Sequence, residues 1–274
     1  MPVSAFLLAL GAAFVHALWN LLLAGARDSE AATAVMLLVS IVLFAPVAAV
    51  TWDVRAEALP YVAGSSALEL AYFALLARAY RREDLSLVYP LARGSGPVFV
   101  LAVSVAALGA ATSAAQVLGV VLVALGVALV RGVTRPADSM GVALALAVGM
   151  CIAGYTLLDK EGIQHADPIA YLELVTIAPA LVYSLAVARY RGIDAVRAEL
   201  RPATVVAGIA LFGAYLLVLF ALRLAPAAPV AAVREASVLI ATALAAIVLR
   251  ERVSLERAVG ASLVVAGVVL VGVA

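Results

Sequence analysis

Ten stretches of roughly 20 residues, the length a helix needs to cross a bilayer, run through this sequence with almost no charge. They lie at 3–23, 31–51, 58–77, 85–107, 112–130, 139–158, 168–188, 202–222, 227–249 and 254–273. Charge gathers in the short turns between them: ARDSEA (26–31), YRRED (80–84), VTRPAD (133–138), RYRGID (189–194) and LRERVS (249–254). In hydrocarbon every backbone polar group must be satisfied within the protein, and a helix does this by itself. The pattern therefore predicts an all-α integral membrane protein of ten transmembrane helices, with no room for a soluble domain. Composition agrees: 66% of the residues are hydrophobic and 13% charged, against roughly half and a quarter in soluble domains. The net charge of +1 gives no footing for nucleic acid. The single cysteine, Cys151, excludes an intrachain disulfide. No basic residue precedes the first apolar run, so that run reads as a retained span rather than a cleaved signal.

Lysines and arginines orient the spans. Thirteen follow the odd-numbered spans: Arg27, Arg78, Arg81, Arg82, Arg131, Arg135, Arg189, Arg191, Arg197, Arg201, Arg250, Arg252 and Arg257. Three follow the even-numbered ones: Arg55, Lys160 and Arg223. The first set is expected in the cytoplasm and both termini on the other side of a cell (inner) membrane.

The chain also repeats itself. Displaced by 141 residues, Arg93 falls on Arg234, Ser113 on Ser254, Gly119 on Gly260 and Gly126 on Gly267, with eleven identities in the 38 columns from 93 to 130. With a two-residue indel, Ala71-Tyr72 falls on Ala214-Tyr215. Two five-span repeats are expected, at 1–131 and 137–274. Because five is odd, the second enters the membrane inverted. Inverted repeats mark secondary transporters, which place substrate near the midplane between the repeats.

Each repeat closes on an apolar run, a short turn, Ser-x-x-(Gln/Arg)-x-x-Gly, and a glycine seven residues later. The copies are ALGAATSAAQVLGVVLVALGVALV (107–130) and ALAAIVLRERVSLERAVGASLVVAGVVLVGV (243–273). This pattern, with the opening HALWNLLLAGA (16–26), resembles the drug/metabolite transporter superfamily in its EamA-domain branch. The second copy keeps the family's turn glutamate as Glu251, with Arg250 where glycine is usual; the first has Ala110 in the glutamate's place. The resemblance implies that spans 1–4 and 6–9 surround a central cavity, with spans 5 and 10 as scaffolding. It does not specify the substrate, since the family carries amino acids, sugars, nucleotides, drugs and other metabolites.

An ionisable residue inside a span costs roughly 2.5–3.5 kcal/mol on insertion scales and faces a partner or a wet cavity. Five qualify: His16, Glu69, Arg93, Arg234 and Glu235. Pseudo-symmetry brings Arg93 and Arg234 toward one cavity, where a guanidinium fork grips a carboxylate or phosphate. Against that stands a reading in which Glu69 and Glu235 merely neutralise the arginines. Glu69 either carries a coupling proton or pairs with an arginine; Glu235 is the second coupling candidate. Arg234 and Glu235 are neighbours in sequence, so on a helix they point about 100° apart and are not expected to face one spot. Pro90, Gly94, Gly96 and Pro97 around Arg93 predict a loosened helix, or else an ordinary proline kink. The second copy, VREASVLI (233–240), has no such break.

Tyr72 lies one turn from Glu69. His16, Trp19 and Asn20 share a face of the first span, as cavity wall or as interhelical hydrogen-bonding groups. Tyr89 lies one turn before Arg93, and Tyr155 and Tyr215 sit on spans 6 and 8. All are candidate substrate contacts. Glu173 reads as interfacial, and Asp159-Lys160-Glu161 as a solvated helix end.

These features predict a secondary transporter that exports a small polar metabolite, anionic or zwitterionic in preference, working by alternating access with the two halves rocking about a midplane site. Its partners are that small-molecule substrate, the lipid bilayer and a proton for coupling, with no cofactor and no metal, as monomer or homodimer. An organic-cation efflux pump and a non-transporting membrane scaffold are the alternatives. A membrane enzyme is not supported, since no nucleophile–base pair stands out. The positive-inside assignment predicts that a C-terminal reporter active only in the cytoplasm stays silent; a bright signal refutes it.

Overall fold

The ends of the apolar runs carry the residues that start and stop helices. The Asp28 carboxylate accepts from the Glu30 and Ala31 backbone N–H groups, and Asp167 does the same for Ile169 and Ala170, satisfying donors that a helix start leaves open. Pro168 and Pro202 open helices at positions where no N–H is needed. Ser113 and Gln116 form a reciprocal capping box: Ser113 Oγ accepts from Gln116 N at 3.1 Å, and Gln116 Oε1 from Ser113 N at 3.2 Å. The Ser-x-x-Gln of the repeat thus starts a helix. Gly109 and Gly192, at φ 64° and 87°, make turns that other residues resist.

The computed structural model describes residues 1–80, 85–131, 139–240, 243 and 255–273. Its helices are α1 (Val3–Ala24), α2 (Ser29–Val50), α3 (Leu59–Tyr80), α4 (Leu85–Ala106), α5 (Ala114–Arg131), α6 (Ser139–Gly162), α7 (Pro168–Arg191), the short α8 (Ile193–Ala198), α9 (Pro202–Leu224), α10 (Ala227–Arg234) and α11 (Leu255–Val273). Helix resumes at 236–240 after α10. Among the described residues the only β pairing is one isolated bridge, Val54 with Ala166.

Among the described residues, six helical segments are long and apolar enough to cross a membrane: 3–24, 29–50, 56–76, 139–162, 168–191 and 202–224. The apolar parts of α4, α5 and α11 are shorter, at 91–106, 114–129 and 258–273. Much of the expected ninth span, and the turns YRRED, VTRPAD and LRERVS for the most part, lie outside the described residues. The protein is a multi-pass membrane protein built of helices.

Helices pack across the chain's midpoint. α1 lies on α9, α3 on α6, α2 on α7 and α5 on α11; α4 also packs on α6, and α10 on α4 and α1. Lipid is as apolar as any side chain, so membrane helices associate through close packing of small residues. The buried face of α1 is accordingly Ala5, Ala9, Ala12, Ala13 and Ala17. The closest approach is between α5 and α11. A Cβ on Gly267 would stand 2.5 Å from the Gly119 carbonyl oxygen, and one on Gly126 would stand 2.6 Å from that of Gly260.

Both ends of the bundle are tied. At one end Glu199, 1% exposed, accepts from the backbone N–H groups of Arg27 and Asp28 at 2.9 and 3.0 Å, and Arg191 reaches Glu30 at 2.7 Å. At the other end, Asp167 N donates to Asp53 O at 2.7 Å and Arg55 N to His165 O at 3.0 Å. These ties join the start of α2 to the end of α7, and the end of α2 to the start of α7.

The expected loosening around Arg93 is absent. α4 stays helical through Pro90 and Pro97, and its glycines serve packing instead: a Cβ on Gly94 would be 3.2 Å from Ala124 O, and one on Gly96 3.2 Å from Ile152. The interruption falls in the other half, immediately after Arg234. There Glu235 N bonds Ala232 O at 3.1 Å and Val238 N bonds Glu235 O at 3.0 Å, two i→i−3 bonds that tighten the turn.

The glycine contacts predict opposite outcomes at two sites. Gly267→Leu should destabilise the detergent-solubilised protein by about 1–3 kcal/mol, as overpacking does. Gly213→Ala, where nothing lies within 4 Å, should be neutral or stabilising by up to about 1 kcal/mol. Thermal melting of both variants checks the pair.

Candidate functional site

Two helices and the turn that closes α10 bring four of the singled-out ionisable groups together. Arg93 comes from α4, His16 from α1, and Arg234 and Glu235 from the tightened turn. Arg93 and Arg234 are 8% and 4% exposed and Glu235 is 1% exposed. Arg93 Nε lies 3.4 Å from Glu235 Oε2, and Arg234 Nε lies 3.9 Å from Glu235 Oε1. Arg93 Nη2 is 3.1 Å from His16 Nε2. A guanidinium can only donate, so His16 Nε2 accepts, and the ring proton in this arrangement belongs on Nδ1. The expectation that Arg234 and Glu235 could not face one spot is corrected. The 100° applies where the side chains leave the backbone, and these two are long enough to bring their charged ends to 3.9 Å.

The cluster therefore holds two arginines and one carboxylate, and it is short of hydrogen bonds. Among the described residues, Arg234 Nε and Nη2 and Glu235 Oε2 are buried without a hydrogen-bond partner, as are Trp19 Nε1 and Ser237 Oγ. A buried, unsatisfied charged group is costly. A ligand that supplies the missing partners would relieve that cost.

A second polar centre surrounds Asp159, near the end of α6. It is fully buried, which corrects the reading of Asp159-Lys160-Glu161 as a solvated end. Asp159 Oδ1 accepts from the Tyr171 hydroxyl at 2.9 Å, and Oδ2 accepts from the Tyr215 hydroxyl. Ser65 Oγ, fully buried, faces the carboxylate without closing a hydrogen bond. A Cβ on Gly162 would collide with the Tyr171 ring, so glycine is what admits it. Lys160 turns the other way and donates to the Leu222 and Ala225 carbonyls at 2.8 and 3.1 Å, capping α9. Asp159 was legible only in hindsight, as the residue one turn beyond Tyr155 on the same face. Its burial depends on tyrosines from α7 and α9.

The remaining candidates distribute between the two centres. Tyr155 packs edge-on against Tyr215, with centroids 6.0 Å apart, and lies within electrostatic reach of Arg93, Arg234, Glu69 and Tyr72. Glu69 and Tyr72 are half-buried on α3; Glu69 feels Asp159 as its charged neighbour, and Tyr72 packs in the apolar cluster around Ala92, Ile152 and Tyr155. Trp19 meets His16 edge-on at 4.8 Å, with its Nε1 buried rather than at a headgroup interface. Asn20 is not turned to the cluster for bonding: its amide donates to the His16 carbonyl of its own helix at 2.7 Å. Glu173, read as interfacial, is buried. The Tyr89 side chain lies outside the described residues. Among the described residues no group of three or more metal-ligating side chains gathers.

With this geometry in place, comparison with known proteins is informative. Residues 139–273 match the EamA-like transporter family. This half of the chain belongs to it. The match starts beyond the 107–130 copy of the sequence pattern, which has Ala110 at the position of Glu251. EamA-like proteins are membrane transporters of the drug/metabolite superfamily, not enzymes. A solved crystal structure, described simply as that of a protein, aligns with 100% of this chain and 99% of its own at 16% identity, with a TM-score of 0.77. At that identity it shares the fold. No curated protein matches this sequence.

Asp159 should hold its tyrosines cooperatively. Asp159→Leu leaves two buried hydroxyls without an acceptor, at about 1–3 kcal/mol each. Adding Tyr171→Phe and Tyr215→Phe should recover part of that loss in a detergent melting experiment. A triple variant less stable than Asp159→Leu contradicts the arrangement.

Proposed function

We propose that this protein is a ten-span secondary transporter, with inverted repeats at 1–131 and 137–274, that exports a small anionic or zwitterionic metabolite from the cytoplasm. The observation that carries the substrate reading is Arg234: a guanidinium 4% exposed, mid-membrane by sequence, with Nε and Nη2 unmatched among the described residues and a carboxylate it shares with Arg93.

The inverted repeat has support in the packing. Under the pseudo-symmetry, α1 corresponds to α6, α2 to α7, α3 to α9, α4 to α10 and α5 to α11. The α1–α9 pair is then the image of α6–α3, α10–α1 the image of α4–α6, and α2–α7 and α5–α11 are their own images. The glycines follow suit, with Gly119 against Gly267 and Gly126 against Gly260.

This exchange changes the units that rock. α1 and α2 pack with α9, and α3 and α4 pack with α6, while α2–α7 and α10–α4 bridge the two groups. Arg93–Glu235, Arg93–His16 and Asp159–Tyr215 all cross the seam between them. Alternating access opens this seam, rather than a cleft between sequence halves. His16, Trp19, Tyr72, Tyr155 and Tyr215 form walls of the site, with Tyr89 assigned there from its place in the sequence. Glu69 and Glu235 are the coupling candidates, with the proton gradient or exchange as the energy source. By the positive-inside rule the end tied through Glu199 is cytoplasmic, and both termini lie outside the inner membrane.

Organic-cation efflux stands as a second reading because Asp159 and Glu69 lie among Tyr155, Tyr171 and Tyr215, a carboxylate and aromatic setting that suits cations. The family match weighs against a non-transporting scaffold. In reconstituted vesicles, Arg234→Ala should lower uptake of an anionic or zwitterionic substrate about tenfold or more, the loss of a charge-assisted hydrogen bond. Arg234→Lys should restore part of it. Uptake of organic cations that is abolished by Asp159→Asn and indifferent to Arg234→Ala favours the second reading.

A further inference from the structure

On the reading that this protein works by alternating access, we infer that the paired ends of α6 and α9 form its outer gate, latched in this structure by Lys160 and Arg223.

The two helices end side by side, and each supplies the cation that satisfies the other's open carbonyls. Lys160 of α6 donates to Leu222 O and Ala225 O at the end of α9, at 2.8 and 3.1 Å. Arg223 of α9 donates from Nε and Nη2 to Ile163 O at 3.3 and 3.1 Å, and from Nη2 to Ala166 O at 2.8 Å, both acceptors lying just beyond α6. A helix leaves its last carbonyls without partners and favours cations at that end. Residues that follow the same helix commonly close it. Here the caps are exchanged between neighbours, so neither end leaves the other without losing its own partners. Deeper in the membrane the Tyr215 hydroxyl of α9 donates to Asp159 of α6, a third contact across the same line.

The symmetry of the repeats separates this latch from a fixed joint. The α2–α7 pair is its own image, and it is tied at both ends of the bundle, through Glu199 at one and Asp53–Asp167 at the other. The image of α6–α9 is α1–α3 at the opposite end. Among the described residues α1 and α3 are not a packed pair, nor are α2 and α3, although their image α7–α9 is packed. α1 has no basic residue in its last turn, so it offers α3 no counterpart of Lys160. A tie present at both ends holds the bundle; a tie present at one end only marks the end that is shut. By the positive-inside rule that end is the outer one.

The latch is also built to release. Lys160 is half-buried and Arg223 exposed, so water takes the place of the carbonyls they give up. A cavity of about 190 Å³ lies against Lys160, lined also by Glu161, Thr112 and Gln116. It offers a released ammonium the Glu161 carboxylate.

Cysteine labelling in intact cells and in inside-out vesicles tests the gate. The reporter is Tyr155→Cys, on the wall of the central site, in a Cys151→Ala background. Membrane-impermeant methanethiosulfonates, one cationic and one anionic, are added to one face at a time. Lys160→Gln combined with Arg223→Gln should raise the labelling rate from the outer face about threefold or more with both reagents, the scale of exposed charged contacts. The rate from the cytoplasmic face should hold or fall, because opening one end closes the other. Should the double variant not fold in detergent melting, Arg223→Lys, which keeps the charge and gives up the fork, should shift the rates in the same directions. A gain from the cytoplasmic face alone keeps the gate and overturns the placing of both termini outside. Rates unchanged from both faces, or raised from both, overturn the gate and leave the contacts as helix caps. Substrate chemistry does not enter these rates, so failure of the Arg234 uptake prediction leaves the gate standing.

Discussion

Two arginines and one carboxylate, buried in the membrane interior, are the constraint on which the rest of the structure turns. A charge in hydrocarbon is tolerated where other charges and hydrogen bonds surround it. Glu235 meets Arg93 at 3.4 Å and Arg234 at 3.9 Å, distances that provide attraction. His16 takes one N–H of Arg93. The cluster is held together, and among the described residues Arg234 Nε and Nη2 have no hydrogen-bond partner. A purely structural ion pair gains nothing from such incompleteness, since every unmatched atom costs free energy. A site that must capture and release a ligand gains from it, because binding then supplies partners that the empty protein lacks.

How the helices are wired explains why this cluster sits at a seam. Had each half of the chain packed on itself, Arg93 and Arg234 would belong to separate bundles meeting at a flat interface. Instead α1 pairs with α9 and α3 with α6, so each group contains helices of both halves. Rigid joints flank the seam. The α5–α11 contact is so close at Gly119, Gly126, Gly260 and Gly267 that no side chain fits between the backbones. α2 and α7 are tied at both ends by Glu199 and by the Asp53–Asp167 pairing.

Much of this was legible from residues alone. Charge confined to turns and apolar runs of membrane length gave the all-helical membrane class. The coincidence of Arg93 with Arg234 and of the glycine pairs under one displacement pointed to their shared environment. Other features were not legible, for identifiable reasons. Asp159 looked solvated because it closes an apolar run, and its burial comes from Tyr171 and Tyr215, distant in sequence. Local propensity placed the helix break at the prolines and glycines of α4. Yet Pro90 and Pro97 are accommodated, and Gly94 and Gly96 fit against Ala124 and Ile152. The interruption occurs after Arg234, where no proline or glycine announces it. Sequence spacing on an ideal helix likewise separated Arg234 from Glu235, and that inference failed because it counted the directions in which the side chains leave the helix and not their reach.

That last failure is informative about the cluster. The turn after Arg234 carries two i→i−3 bonds, Glu235 N to Ala232 O and Val238 N to Glu235 O, and Glu235 itself keeps a right-handed helical φ and ψ of −69° and −8°. Neighbours on such a backbone leave the helix about 100–120° apart, yet the charged groups of Arg234 and Glu235 approach to 3.9 Å because both side chains are long. Glu235 therefore stands between Arg234 on its own segment and Arg93 on α4, and a single carboxylate joins the charges contributed by separate helices.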